Sequence, residues 1–461
     1  MGGLNRIKFK FALLFAGFLL ILGLFQNCSH GFSPEKPNFI LNSGNDEAQT
    51  SQNSQEEGAA NIDVNNETQS ESQNETSEPE SSVSNEANST PATISTPPTS
   101  NGTTSNSEND ILAELIKNPQ KITSANEVQK LMADEWTYKE IFRKTDIPPP
   151  ADVPGSVVKA IYSPNVVYSK SYGYVMVFGV SVLCQNGTVA RDTVAWANSQ
   201  DGLNFQFQNY LITPDSHVCT QSPSQWPEGT AFQINDPAAI LTPLADGREI
   251  LYVTYTVSTH RLRSDVSECG RIGMSIFDMG KGLQYRNDNY LRPNDRFCNP
   301  NGWYGFSRPA FNRINQYTTE LWFDSTGRAF KIPVSNVTQL DPANITNVGI
   351  AGILDVEVFT LGSVNILMTN GNVGVPYTVS KRNVASWTGF SYLTDLSGQQ
   401  WDRDGQGSAH VFVHPETCKS FVYMGGVELN SNKTNYETIN IGAAIPKNGN
   451  LGKALCNQIY Q

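Results

Sequence analysis

The chain has 461 residues, with 44 acidic and 32 basic side chains and a net charge of −12. Residues 40–108 hold two Asp, ten Glu and no Lys or Arg, and residues 1–39 carry +3, so residues 109–461 carry only −3. A body this close to neutral, without a basic face, excludes a nucleic-acid binder, whose affinity rests on neutralised phosphates.

Residues 1–28 read as an export signal. Arg6, Lys8 and Lys10 form a basic start, and Phe11 to Phe25 is an uncharged apolar run, short for a membrane span and suited to a signal's apolar region. The run ends at Leu24-Phe25-Gln26-Asn27-Cys28. A cysteine at this boundary resembles the lipobox of bacterial lipoproteins, although Gln26 and Asn27 stand where small residues are usual. The resemblance implies lipidation of Cys28. Ser29 rather than Asp follows it, which implies an outer-membrane address facing the periplasm or the exterior. An ordinary cleaved signal and an uncleaved anchor are the alternatives.

Residues 29–109 are Ser, Asn, Thr, Glu, Gln and Pro, with no aromatic residue between 40 and 108. Such a segment buries too little apolar surface to offset its ordering entropy, so a disordered linker is expected. Its like charges extend it into a tether.

Six cysteines remain after Cys28: Cys184, Cys219, Cys269, Cys298, Cys418 and Cys456. An even number in an exported domain points to disulfides, and fifteen pairings are open in principle. Clustering along the chain favours Cys184–Cys219, Cys269–Cys298 and Cys418–Cys456. No Cys-x-x-Cys or paired-His spacing supports a metal site.

Residues 110–154 are expected to be a short helical segment. Ile111, Leu112, Leu115 and Ile116 recur at helical spacing, as do Val128, Leu131 and Met132, with Ser124 as an N-cap. Pro148, Pro149 and Pro150 close it.

From residue 155 the pattern turns to short strands. A phrase recurs: Ser163-Pro164-Asn165-Val166, Asn235-Asp236-Pro237-Ala238, Arg308-Pro309-Ala310-Phe311, Asp355-Val356-Glu357-Val358 and Ser408-Ala409-His410-Val411. Each copy is followed by two or three further strand-like runs. Five such units over 155–461 predict an all-β fold, a five-bladed β-propeller, with a β-sandwich as the alternative. These units, with an Asp-Pro step opening an inner strand, resemble the five-bladed propellers of the arabinanase, xylosidase and invertase type of glycoside hydrolases.

The resemblance implies an axial pocket with three carboxylates on the first three blades, where hydrolysis needs one protonated and one ionised carboxyl across the glycosidic bond. Asp236 matches the second-blade carboxylate. Ser163 and Arg308 stand where the first and third are expected, and neither can replace a carboxylate. Either the units align in another register, or the chemistry has moved, with Asp355 and Glu357 as replacement carboxylates beside Asp236, or the domain binds without cleaving. Alternate residues of a strand share a face, which would aim both Asp355 and Glu357 at the axis. Arg308 would bind an anionic group on a sugar, or pair with Asp236 or Asp355. His410 opens the fifth unit; the resemblance implies an axial role near a water or a calcium ion, and no other cofactor is expected.

Trp226, Trp303, Tyr304 and Trp401 precede inner strands and would stack on sugar rings or pack loops. His260, Arg261 and Arg263 fall on a predicted loop. No phosphate loop, metalloprotease motif or Gly-x-Ser-x-Gly elbow is present. The expected protein is thus a monomeric, lipid-anchored propeller that recognises a glycan, with or without hydrolysis. The alternative is an adhesion module for a surface polymer or protein.

Overall fold

The computed structural model of the chain describes residues 104–185, 190–259, 270–293, 297, 305–315, 317–325, 327–429 and 436–460. The expected signal, Cys28 and nearly all of the expected linker lie outside them. The first described element, α1 (Thr104–Lys117), begins six residues before the expected helical segment. It is followed by α2 (Ala125–Met132), which buries Val128, Leu131 and Met132. Glu127 Oε2 accepts from the backbone N–H groups of Ser124, at 3.0 Å, and Thr123, at 2.7 Å. The N-cap amide of Ser124 and the amide just before it are thereby satisfied.

The next element corrects the sequence reading. Trp136–Phe142 is a strand, β1, where helix was expected. Its Trp, Thr, Tyr, Ile and Phe are strand-forming residues, but its hydrogen-bonding partner lies some 300 residues further along the chain. It pairs antiparallel with β20, Trp136 opposite Pro446 and Phe142 opposite Ile441.

The remaining strands fall into five blades. Blade one is β2 (Val157–Ser169), β3 (Gly173–Leu183), β4 (Ala190–Ser199) and β5 (Gln206–Ile212). Blade two is β6 (Ala231–Pro243), β7 (Glu249–Thr259), β8 (Arg271–Asp278) and β9 (Gly282–Leu291). Blade three is β10 (Ser307–Arg313), β11 (Thr319–Ser325), β12 (Arg328–Pro333) and β13 (Thr346–Ala351). Blade four is β14 (Glu357–Leu361), β15 (Val364–Met368), β16 (Pro376–Lys381) and the two-residue β17 (Ser391–Tyr392). Blade five is β18 (Gly405–Val413), β19 (Ser420–Leu429) and β20 (Tyr436–Pro446), completed on its outer edge by β1. All blades are antiparallel, and β2, β6, β10, β14 and β18 pack side by side in a closed circuit. This is a five-bladed propeller, closed by a strand from before the first blade. That closure pairs an edge that β20 would otherwise expose.

The blades are held by side chains alternating between their faces. Phe178, Phe421, Tyr423 and Ile441 fill the space between blades one and five, and Val253, Tyr255 and Val257 that between blades one and two. The chain ends in α3 (Asn450–Ile459), also unanticipated, which packs with α1 and α2 on blades four and five through Leu115, Val128, Leu361, Leu451 and Leu455. Cys418–Cys456 ties α3 to the β18–β19 turn, and Cys184–Cys219 ties the β3–β4 link of blade one to the β5–β6 link that leads into blade two. Both pairings are those expected. Cys269 and Cys298 lie outside the described residues.

Candidate functional site

Each blade has one residue with a left-handed backbone on its inner strand, or in blade four two residues before it, and none of the five is glycine. They are Ser163, Asp236, Arg308, Asp355 and Ser408, with φ of 49°, 47°, 52°, 59° and 49°. These are the opening residues of the five repeated phrases. On β2, β6, β10 and β18 the pairing register slips across this point, as between Asn235 and Ala238 on β6. A bulge of this kind breaks the in-out alternation and re-aims a side chain. A left-handed conformation costs a non-glycine residue on the order of 1 kcal/mol or more, so the fold holds five strained residues to bring five side chains to the axis.

Those side chains form a ring with one member per blade. Ser163 Oγ donates to Asp236 Oδ1 at 2.7 Å. Asp236 Oδ2 lies 3.8 Å from Arg308 Nε, and Arg308 Nε lies 2.5 Å from Asp355 Oδ1. Ser408 Oγ donates to Asp355 Oδ2 at 2.9 Å and meets Ser163 Oγ at 3.1 Å, which closes the circuit. Further groups brace it. Asn370 Nδ2 donates to Asp355 Oδ2 at 2.5 Å, and Asn370 Oδ1 accepts from the Ser408 amide at 2.7 Å. Thr256 Oγ1 accepts from the Arg308 amide at 2.8 Å. Asp324 sets Oδ2 3.4 Å from Arg308 Nη1 and accepts from Ser307 Oγ.

Asp236, Asp324 and Asp355 thus surround one guanidinium, and all four side chains are buried. Burial pushes the Asp236 carboxyl up to about 7, reinforced by the Asp355 charge and opposed by Arg308. Burial also raises Asp324 to about 6, against the attraction of Arg308. Asp236 and Asp324 are thus pushed toward the neutral form, because the interior penalises uncompensated charge.

Beyond the ring lies a second layer made of Asn165, Glu357 and His410. Glu357 Oε1 is 2.7 Å from His410 Nδ1, and Asn165 Nδ2 is 3.1 Å from the same nitrogen. His410 Nε2 is 3.1 Å from the Val166 carbonyl, an acceptor, so that nitrogen carries a proton. The Ala239 amide donates to Asn165 Oδ1 at 3.0 Å, which fixes the orientation of that amide side chain. With both ring nitrogens engaged, His410 offers no lone pair to a metal. Only Glu357 Oε2 is left to ligate, against the six to eight oxygens that calcium takes, so the layer does not fit the expected axial calcium. Among the described residues no group of three or more His, Cys, Asp or Glu could hold a metal ion.

The ring and this layer enclose a recess of about 30 Å³, lined by Ser163, Asp236, Arg308, Asp355, Glu357 and His410 among others. That is room for about one water. Hydrolysis of a glycoside needs two carboxyls flanking a sugar, roughly 5 Å or more apart with the reacting bond between them. Here the Arg308 guanidinium stands between Asp236 and Asp355.

The expected residues Ser163, Asp236, Arg308, Asp355, Glu357 and His410 therefore do meet at the axis, with Arg308 in its ion-paired alternative. Trp401 does not join them. It is 4 % exposed, with its ring packed on the backbone of Gly426 and Gly442, where an added Cβ would come within 2.0 and 2.1 Å of it. Trp226 is equally buried, against Phe232. Neither can stack on a sugar. Trp303, Tyr304, His260, Arg261 and Arg263 lie outside the described residues. Sequence reasoning missed Ser408, Asp324, Asn370 and Asn165 as site residues. Ser408 was legible as the opening residue of the fifth phrase.

No protein-family model matches the sequence, and no curated protein matches it. The chain is similar to solved structures of carbohydrate-active proteins. The catalytic domain of a Coprinopsis cinerea GH62 α-L-arabinofuranosidase matches at 11 % identity and a TM-score of 0.43, over 69 % of this chain and 98 % of that one. An α-L-arabinofuranosidase from Lactobacillus brevis matches at 12 % identity and 0.42, over 66 % and 94 %. A β-1,2-mannobiose phosphorylase from Listeria innocua, in complex with β-1,2-mannobiose, matches at 10 % identity and 0.43, over 68 % and 97 %.

Proposed function

We propose that this chain is an exported, lipid-anchored propeller that binds a glycan without hydrolysing it. The observation that carries the second half is the Arg308 guanidinium between Asp236 and Asp355, 2.5 Å from one and 3.8 Å from the other. A base must be free to ionise and an acid free to reach a leaving group. In this ring Asp236 accepts from Ser163, Asp355 accepts from Ser408 and Asn370, and the cation lies beside both.

The glycan half rests on the repeated phrase and its likeness to glycoside-hydrolase propellers. Export is supported by the basic start and apolar run at residues 1–25, and by the two disulfides, which persist in oxidising compartments. Cys28 is the proposed anchor, with residues 29–103 as the tether that holds the propeller off the membrane.

Affinity electrophoresis of the full chain through gels containing plant, fungal or bacterial polysaccharides tests the binding half. Retardation by at least one polymer is expected. Uniform migration through all of them would overturn the glycan reading.

A further inference from the structure

Past the layer of Asn165, Glu357 and His410, the axis widens into a cavity of about 510 Å³, which those three residues also line. It opens on the face formed by the inner-strand hairpin turns, where Lys170, Glu249 and Glu416 stand at its rim. The size falls within the few hundred to one thousand Å³ typical of small-molecule sites, whereas the recess at the ring has room for about one water.

All five blades furnish its walls: Val167, Ile240, Phe311, Phe359 and Val411, with Ala239 keeping one side shallow. Val167, Ile240, Phe311 and Val411 are partly exposed, though each sits on an inner strand. Leaving apolar side chains wet forgoes the free energy that burying them would gain. At the inner end Glu357 spends Oε1 on His410, which leaves Oε2 as an acceptor. At the outer end Arg313 lies over the Tyr460 ring, 5.3 Å from its centre. That end is framed by α3, which brings Leu455 and Ile459 to the rim. α3 is fixed there by Gln458, whose Nε2 donates to the carbonyls of Ile314 at 3.0 Å and Thr360 at 2.8 Å, and by Cys418–Cys456.

We propose that the ligand site is this cavity, entered from the hairpin-turn face rather than through the ring, and that it takes the terminal sugar unit of a glycan. The C–H faces of the sugar pack on Phe311, Phe359 and the aliphatic wall, and a hydroxyl donates to Glu357. The choice of a sugar rests on the glycan reading above; the place of the site rests on volume and lining alone.

The test uses the full chain with xylotriose, arabinotriose and maltotriose as probes, read by calorimetry and by amide hydrogen exchange. Binding of at least one is expected to slow exchange in residues 166–170 and 239–241. Val167→Trp, which fills the cavity, should weaken binding at least tenfold. Glu357→Gln, which keeps the shape, should weaken it several-fold while the unfolding midpoint stays near that of the parent; this second variant decides the matter if Val167→Trp does not fold. Sugar binding with protection confined to the links 213–230 and 393–404, and with parental affinity in both variants, would overturn the site. If no sugar binds, the glycan reading and the sugar as ligand both fall. The cavity is then tested by 1-anilinonaphthalene-8-sulfonate, an aromatic anion suited to the Lys170 and Arg313 rim. Enhanced fluorescence that Val167→Trp abolishes would keep the site, and no enhancement would overturn it.

Discussion

Arg308 Nε lies 2.5 Å from Asp355 Oδ1, and the two are the left-handed residues of neighbouring blades, Arg308 on β10 and Asp355 two residues before β14. The contact joins blades three and four at the axis and sets one cation among three buried carboxyls. Removing the cation leaves those carboxyls without compensation. We expect Arg308→Met to cost roughly 3–5 kcal/mol of unfolding free energy near neutral pH, the range for breaking a buried pair from one side. The cost should shrink by pH 5, below the values of about 7 and about 6 for Asp236 and Asp324, where both acids are neutral. Denaturant titrations of parent and variant at the two pH values check both statements. An equal loss at both would contradict them.

A second expectation concerns pH in the parent chain. Burial raises Asp192 to about 8, helped by the nearby Asp236 charge, and it raises Asp236 and Asp324 as above; the ordinary value is 3.8. Each group therefore binds a proton more tightly in the folded chain than in the unfolded one. Their contribution to stability is fully present below about pH 4 and is lost as pH rises through the folded values, between about 4 and 8. The urea midpoint should fall from pH 5 to pH 8. Asp192→Asn, neutral throughout, should flatten the upper part of that fall. A midpoint that rises across this range would show that other groups dominate.

Trp401 separates packing from recognition. Its ring lies on Gly426 and Gly442, at positions where a methyl group would overlap it. Trp401→Ala should cost about 3–5 kcal/mol, as for other buried aromatics, and Gly442→Ala about 1–3 kcal/mol by overpacking. Ligand addition should leave the Trp401 environment unchanged. Comparing ligand-induced fluorescence change in the parent and in Trp401→Phe measures this, and equal changes are expected.

The two described disulfides close links of 35 and 38 residues. Replacing Cys418 and Cys456 together by Ala should cost about 2–4 kcal/mol and should loosen α3 first. Faster amide exchange in residues 450–459 than in blade two is the expected signature. For the proposed lipid anchor, Cys28→Ala should move the protein from the membrane fraction to the soluble one.

How far the sequence reached follows from what each residue type signals locally. The five phrases were legible because an inner strand needs a polar opening residue followed by apolar ones, and this pattern repeats whatever the loop lengths between. The convergence of Ser163, Asp236, Arg308 and Asp355 followed from the radial symmetry. Strand β1 was not legible as part of blade five, since its seven residues follow two helices and pair with a strand far along the chain. Asp324 carries no local signal, because its place beside Arg308 depends on the register of β10 against β11. Trp401 misled because an aromatic residue in a loop reads the same whether it faces solvent or two glycines that make room for its ring. The ring's closure through Ser408 depended on a side-chain contact across the first and last blades, which periodicity does not encode.

The most direct test of the closed ring is release of sugar. The full chain is incubated with a polysaccharide that retards it, and new reducing ends are quantified by chromatography, with Asp236→Asn run alongside. Binding without new reducing ends, in parent and variant alike, is the expected result. Sugar release by the parent that Asp236→Asn abolishes would show that Arg308 leaves room for catalysis, and would contradict the account.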